Sequence, residues 1–161
     1  VLTQSIDLAG ASSKIQLDQM DILRDFTPQE IQLLAQKLTT ATFGKGDSIV
    51  KEGDRDRNLF LLVKGLVSVR IQLPDSDRTK RLITYSAGVT FGELAFLDGS
   101  PRSADVWAEE STEAYMLSPA EFDLLQKESP TVAVKLIRNI ALEISERLRI
   151  RTNEVRTLEE G

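Results

Sequence analysis

The sequence predicts a mainly β fold with flanking helices, and three observations carry that expectation. Between about Ala41 and Leu117, short apolar runs alternate with glycine- and aspartate-rich turns, the texture of an all-β sandwich or barrel. On either side, Ser or Thr stands directly before Pro at "TPQE" (Thr27), "SPAE" (Ser118) and "SPT" (Ser129). Each pairs an N-cap with the residue best tolerated at the first helical position. From Ser129 onward the pattern is that of one long helix.

Taken in order, residues 1–14, with "DLAGASSK" from Asp7, read as a linker or tail. Ser13 to Phe26 carries Ile15, Leu17, Met20, Ile22, Leu23 and Phe26, a short helix or a packed arm. After Thr27, the spacing of Ile31, Leu34, Ala35 and Leu38 gives a helix one face of which packs on the core. Glu30 and Glu121 fall where a carboxylate reaches back to the cap's amide. Candidate strands are Thr42–Phe43, Ser48–Val50, Leu59–Val63, Leu66–Ile71, Arg81–Tyr85, Thr90–Phe91, Ala104–Ala108 and Ala114–Leu117. Alternation of Leu66, Ser68 and Arg70 against Val67, Val69 and Ile71 predicts one buried and one wet face for that strand. "PDSDRTK" from Pro74 reads as an exposed hairpin loop. In the last helix, Ile137, Ala141, Ile144, Leu148, Arg151, Val155 and Leu158 follow alternating steps of four and three, apolar except at Arg151. The stripe is expected to be core through about Ile144, and beyond Leu148 either a dimer contact or a mobile end.

Composition removes many functions. At 161 residues and 41% hydrophobic content the chain makes one domain with helical appendages. Having neither cysteine nor histidine, it lacks disulfides, thiol nucleophiles, Cys/His zinc sites and every Ser-His-Asp arrangement. A formal charge of −5 disfavours nucleic acid as a partner of this chain. With no apolar run near the roughly 20 residues of a membrane span and no signal-peptide core, a soluble, cytoplasmic chain is expected. It opens on Val1, and is expected to be processed or cut from something longer.

The segment "FGELAFLDGSPRS", Phe91 to Ser103, carries the candidate chemistry. Gly92 lets backbone approach a ligand closely, and "ELAFL" favours one helical turn whose first amides are unpaired, an anion site. Arg102, just after the rigid Pro101, offers a planar fork to phosphate oxygens, and Ser103 adds a hydroxyl. Glu93 would repel a phosphate, yet as a pure acceptor it suits a sugar hydroxyl. Together these residues ask for a phosphate with an adjacent ribose 2′-OH.

The run "FGELAFLDGSPRSADVWA" resembles the phosphate-binding cassette of the cyclic nucleotide-binding domain family. "KGDSIVKEGDRDRNLFLLVKGLVSV" and "STEAYMLSPAEFDLL" are similar to the flanking segments of that family, so that the likeness covers about Met20 to Leu148. It implies a jelly-roll or double-stranded β-helix (β-roll) with an N-terminal helical segment and a long C-terminal helix. The domain would run over 15–161, with the roll at about 41–117 and the C-terminal helices at about 118–160. It implies that Arg102 binds the cyclic phosphate and Glu93 the ribose 2′-OH. Amides of Glu93, Leu94 and Ala95 complete the cradle with Ser103, and Phe91, Gly92 and Pro101 belong to the same ligand site. The base lid of the family comes from the C-terminal helix, where Arg138, Arg147 and Leu148 are the candidates. The ligand is cAMP or cGMP, with the balance toward cAMP as the commoner one in the family. No metal and no catalytic residue is expected.

Four functions compete. One is a regulatory module whose ligand moves the C-terminal helices and controls an attached effector or a second copy. Another is the sensor of a catabolite activator protein-type transcription regulator, although the chain ends at Gly161 with no room for a helix-turn-helix. An enzyme of cupin type would need histidines around a metal, and adjacent Glu109 and Glu110 would point to opposite faces of a strand. Last is a ligand-free oligomerisation domain, against which the intact Arg102 and Glu93 speak.

Overall fold

The computed structural model describes residues 13–160, so the expected linker lies outside the described residues up to residue 12. The segment that follows is a packed arm rather than one helix. Two 3-10 turns, Leu17–Gln19 and Asp21–Leu23, flank an extended Met20. Met20, Ile22 and Leu23 are buried. Helix α1 (Pro28–Ala35) starts as expected. The Glu30 amide donates to Thr27 Oγ1 at 3.2 Å, and the Thr27 amide to Glu30 Oε1 at 2.9 Å.

Eight strands follow: β1 (Thr39–Phe43), β2 (Ser48–Val50), β3 (Leu59–Lys64), β4 (Leu66–Gln72), β5 (Thr79–Ser86), β6 (Thr90–Phe91), β7 (Asp105–Ala108) and β8 (Thr112–Leu117). They form two antiparallel four-stranded sheets, ordered β1-β8-β3-β6 and β2-β7-β4-β5. This is the jelly-roll β-roll that the family resemblance implies, within the mainly β fold expected from the strand pattern. Strand β3 ties the layers together because both of its faces are covered. Leu59, Leu61 and Val63 pack under the helices, while Phe60 and Leu62 join Val67, Phe91 and Val106 inside the roll. Gly65 turns β3 into β4 at φ 100°, where a Cβ would fall 2.7 Å from the Ser111 carbonyl oxygen.

The wet face expected for β4 is only partly wet. Ser68 is fully buried; its hydroxyl donates to Glu109 Oε1 and accepts from Arg70 Nε at 3.0 Å. Arg70 Nη2 closes the triangle on Glu109 at 2.7 Å. These bonds satisfy the Ser68 hydroxyl and the Glu109 carboxylate where the strand face is covered, whereas Trp107 Nε1, opposite Ser68 on β7, is buried without a hydrogen-bond partner.

After β6 comes α2 (Glu93–Asp98), and after β8 come α3 (Pro119–Glu128) and α4 (Pro130–Glu159). Ser118 caps α3, its Oγ accepting from the Glu121 amide at 3.1 Å. Ser129 does not cap with its side chain. Its backbone, at φ −144° and ψ 72°, is already the joint at which α3 stops and α4 starts.

The core face of α4 differs from the expected stripe. Val132, Ala133, Leu136 and Ile140 are the buried apolar residues, with Asn139 buried between them. Ile137 and Ile144 lie at the edge of this face, and Ala141 is exposed. Asn139 Nδ2 donates to the Ile22 carbonyl at 2.7 Å, which makes a polar residue part of the seam to the arm.

Candidate functional site

The loop from β6 to β7 is built around Arg102. Its backbone is fixed by the turn after β2: the Gly53 amide donates to the Arg102 carbonyl and the Arg102 amide to the Asp54 carbonyl, both at 2.8 Å. The side chain is 3% exposed. Nε and Nη2 donate to Asp56 Oδ2 at 3.0 and 2.6 Å, Nη2 also to the Asn58 carbonyl at 2.7 Å, and Nη1 to the Gly92 carbonyl at 3.0 Å. The guanidinium rests on the Phe60 ring, which stacks on Phe91 with centroids 4.9 Å apart. Four of the five N–H groups of a guanidinium are thus directed by the protein. The fork that the sequence assigns to phosphate has its Nε edge on Asp56, and the cation is held in one orientation.

Helix α2 starts beside it. Gly92 is its N-cap at φ 81°, without a side-chain cap, so amides of the first turn have no intrahelical acceptor. At the other end Arg57 donates to the carbonyls of Ala95 and Phe96 at 3.3 and 3.4 Å, fitting a cation to a helix C-terminus.

A cavity of about 110 Å³ opens here. Its walls include Phe91, Gly92, Glu93, Leu94, Ala95, Arg102 and Ser103 from the expected set. Pro101 is exposed, and the structure does not place it on the cavity wall. The walls also hold Val50, Val69, Tyr85, Ala104 and Val106 from the roll, and Arg147 from α4. Of the three lid candidates, Arg147 reaches the cavity, whereas Arg138 and Leu148 are exposed.

Arg147 makes specific contacts. Nη1 donates to Glu93 Oε1 and Nη2 to the Thr90 carbonyl, each at 2.7 Å. Its guanidinium carbon stands 5.2 Å from the Tyr85 ring centroid. One turn back, Glu143 lies 3.8 Å away. Burial pushes the Glu143 carboxyl up to about 7, with Arg147 opposing and Glu93 adding to the shift. Burial also raises the Tyr85 hydroxyl, with Arg147 opposing the shift.

Asp56, Tyr85 and the pairing of Arg147 with Glu93 were not legible in the sequence. Asp56 lies 46 positions from Arg102, and Arg147 lies 54 from Glu93. The charged run "EGDRDR" that holds Asp56 carries no local signal that singles out a partner for arginine.

Among the described residues no group of three or more His, Cys, Asp or Glu side chains is arranged to hold a metal ion. An antiparallel roll with a buried, pre-oriented guanidinium, a nearby carboxylate and a capping helix defines a small-molecule-binding module. The family model for the cyclic nucleotide-binding domain matches residues 40–129, and the chain belongs to that family.

Glutaminase 1 of Bradyrhizobium diazoefficiens is 32% identical over 133 residues, covering 83% of this chain and 21% of that protein. The cAMP-dependent protein kinase regulatory subunit of Hypocrea atroviridis is 31% identical over 109 residues, covering 68% of this chain and 22% of that one. The catabolite activator protein of Thermus thermophilus superposes with a TM-score of 0.75 at 25% identity, covering 86% of this chain and 63% of that chain. This chain spans about a fifth of the length of the first two.

Proposed function

We propose that the chain is a cyclic nucleotide sensor, with cAMP its first candidate and cGMP the alternative, whose output is the position of α4. The observation that carries this reading is one cavity wall bearing Arg102, Glu93 and the unpaired amide end of α2. A cyclic phosphate would meet the α2 amides and Arg102, and Asp56 keeps that cation oriented before the ligand arrives. The ribose 2′-OH would donate to Glu93, and the base would lie toward Tyr85. Nothing in this placement makes or breaks a bond, in keeping with a regulatory domain. The setting is the cytoplasm; no helix among the described residues is long and apolar enough to cross a membrane.

Calorimetric titration with cAMP and cGMP, 5′-AMP serving as control, tests the assignment. Arg102→Ala is expected to weaken binding by about 2–5 kcal/mol, the scale for removing one partner of a buried, hydrogen-bonded charge pair. Equal binding by parent and variant would move the ligand elsewhere. Absence of heat in ligand-free protein would leave an oligomerisation domain as the better account.

A second reading, the sensor segment of a catabolite activator protein-type regulator, draws on the 30-residue α4 and its exposed apolar positions. Under it, two copies pair through α4, and the effector is a DNA-binding domain outside this chain.

A further inference from the structure

Arg147 occupies the place where the ligand reading needs room. The cavity volume, about 110 Å³, falls below the roughly 300–1,000 Å³ of small-molecule pockets. Most of its lining belongs to two hydrogen-bonded sheets and the Arg102 loop, which are fixed on several sides. The α4 side is different. Ile144 is the furthest residue along α4 that packs on the core. Leu148, Ile150, Val155 and Leu158 beyond it are exposed at 66%, 52%, 59% and 80%. Past Ile144, Arg147 is therefore the tether of the helix to the roll, through Glu93, the Thr90 carbonyl and the Tyr85 ring.

We propose that Arg147 is an internal competitor of the ligand: seated on Glu93 it closes the cavity, and a nucleotide must displace it, which frees the C-terminal half of α4. The inference rests on the ligand assignment above, because Glu93 is the acceptor that both the guanidinium and the ribose hydroxyl need. The pair is suited to exchange. Its side chains are 29% and 16% exposed, so water reaches the arginine as it leaves. A ligand moves such an equilibrium only by its preference for one state. Here the preference is built in, since latched Arg147 takes up cavity volume and holds one of the two Glu93 carboxylate oxygens.

The test is titration of the full chain with cAMP and cGMP for the parent, Arg147→Ala and Arg147→Gln, together with a distance across the latch. The sequence has no cysteine, so the exposed pair Thr42→Cys and Glu146→Cys accepts spin labels on β1 and α4 alone. If the released state is a minor species of roughly 0.1–10%, apparent affinity is reduced by that fraction. Both variants are then expected to bind about tenfold or more tightly than the parent. Without ligand they should already show the label distance that the parent reaches only when saturated. Binding that is unchanged or weaker in the variants would overturn the competition while leaving the ligand assignment intact, as would an Arg147 that stays and shares Glu93 with the ribose. An unmoved label distance would overturn it too. Absence of binding in parent and variants alike would overturn the ligand assignment, and the competition with it.

Discussion

Gly92 shows how much one position can be asked to do. Its φ of 81° sets the start of α2, and a Cβ built there would lie 2.7 Å from Arg102 Nη1 and 2.9 Å from the Asn58 carbonyl oxygen. Neither neighbour can step aside easily, because Asn58 O and Arg102 are bonded to each other at 2.7 Å. Gly92→Ala is therefore expected to cost about 1–3 kcal/mol, the range for a residue forced into a sparsely populated backbone region. It should also tilt the guanidinium away from its set orientation. Thermal melting and cyclic nucleotide titration check both parts; a variant with parental melting and affinity would show that the close approach constrains nothing. That Gly92 and Arg102 come together was legible, since a glycine before a helical turn and an arginine after a proline each have a stated physical use. That Asp56 fixes the arginine was not, because a solvent-facing aspartate in a charged turn has the same local signature whether or not it has a partner.

Among the elements, the strands were legible and the faces of α4 were not. All eight strand candidates fall on strands, because runs such as "LFLLV" between turn residues leave little choice of period. On α4 the apolar residues occupy two neighbouring stripes. The heptad stripe through Ile137, Ala141, Ile144 and Leu148 is the more regular in sequence, whereas the core stripe through Val132, Leu136 and Ile140 includes Asn139 and leads to Glu143. Polar residues inside a buried stripe blur its period, so the regular stripe is the one the sequence displays. Glu143 also brings a testable pH dependence. Buried residues around it and the Glu93 and Asp21 charges raise its carboxyl from the ordinary 4.5 to about 7, against the pull of Arg147 and Arg24. Folded protein thus holds a proton there that the unfolded chain releases between these values. The associated stability is full below about pH 4.5 and is lost as pH rises through about 7. Glu143→Gln cannot lose that proton. Its melting temperature should exceed that of the parent by a few degrees at pH 8 and converge with it near pH 5. A constant difference across this range would show that Glu143 titrates normally.

At the scale of the whole molecule, the outer positions of the second apolar stripe of α4 have no cover among the described residues. Val134, Leu148, Val155 and Leu158 are 65%, 66%, 59% and 80% exposed. With Ala141, the first three repeat every seven residues, while Ile137, Ile144 and Leu158 take the interleaved positions. Arg151 interrupts the second row, and its charge is paired with Glu154 at 3.0 Å. A second copy of the same helix fits this repeat, since a heptad seam is self-complementary about a two-fold axis. Burial of a large aliphatic side chain contributes roughly 1.5–3 kcal/mol, and two copies bring eight such side chains from these four positions. That exceeds the lower part of the association cost of about 4–15 kcal/mol, which predicts a dimer whose population depends on concentration. Ile144 is a poor place to test it, because it also packs on the core. Leu148→Glu with Val155→Glu changes exposed residues alone and places four carboxylates in the seam. In sedimentation the parent should show twice the mass of the variant, and the melting temperature of the variant at low concentration should match that of the parent. Equal masses would mean that the stripe meets some other surface. A dimer would also give the Arg147 latch its output, because the segment it tethers, from Leu148 onward, is the one that carries the far half of the seam. Ligand-driven release would then appear as a shift in the dimer constant as well as in the label distance.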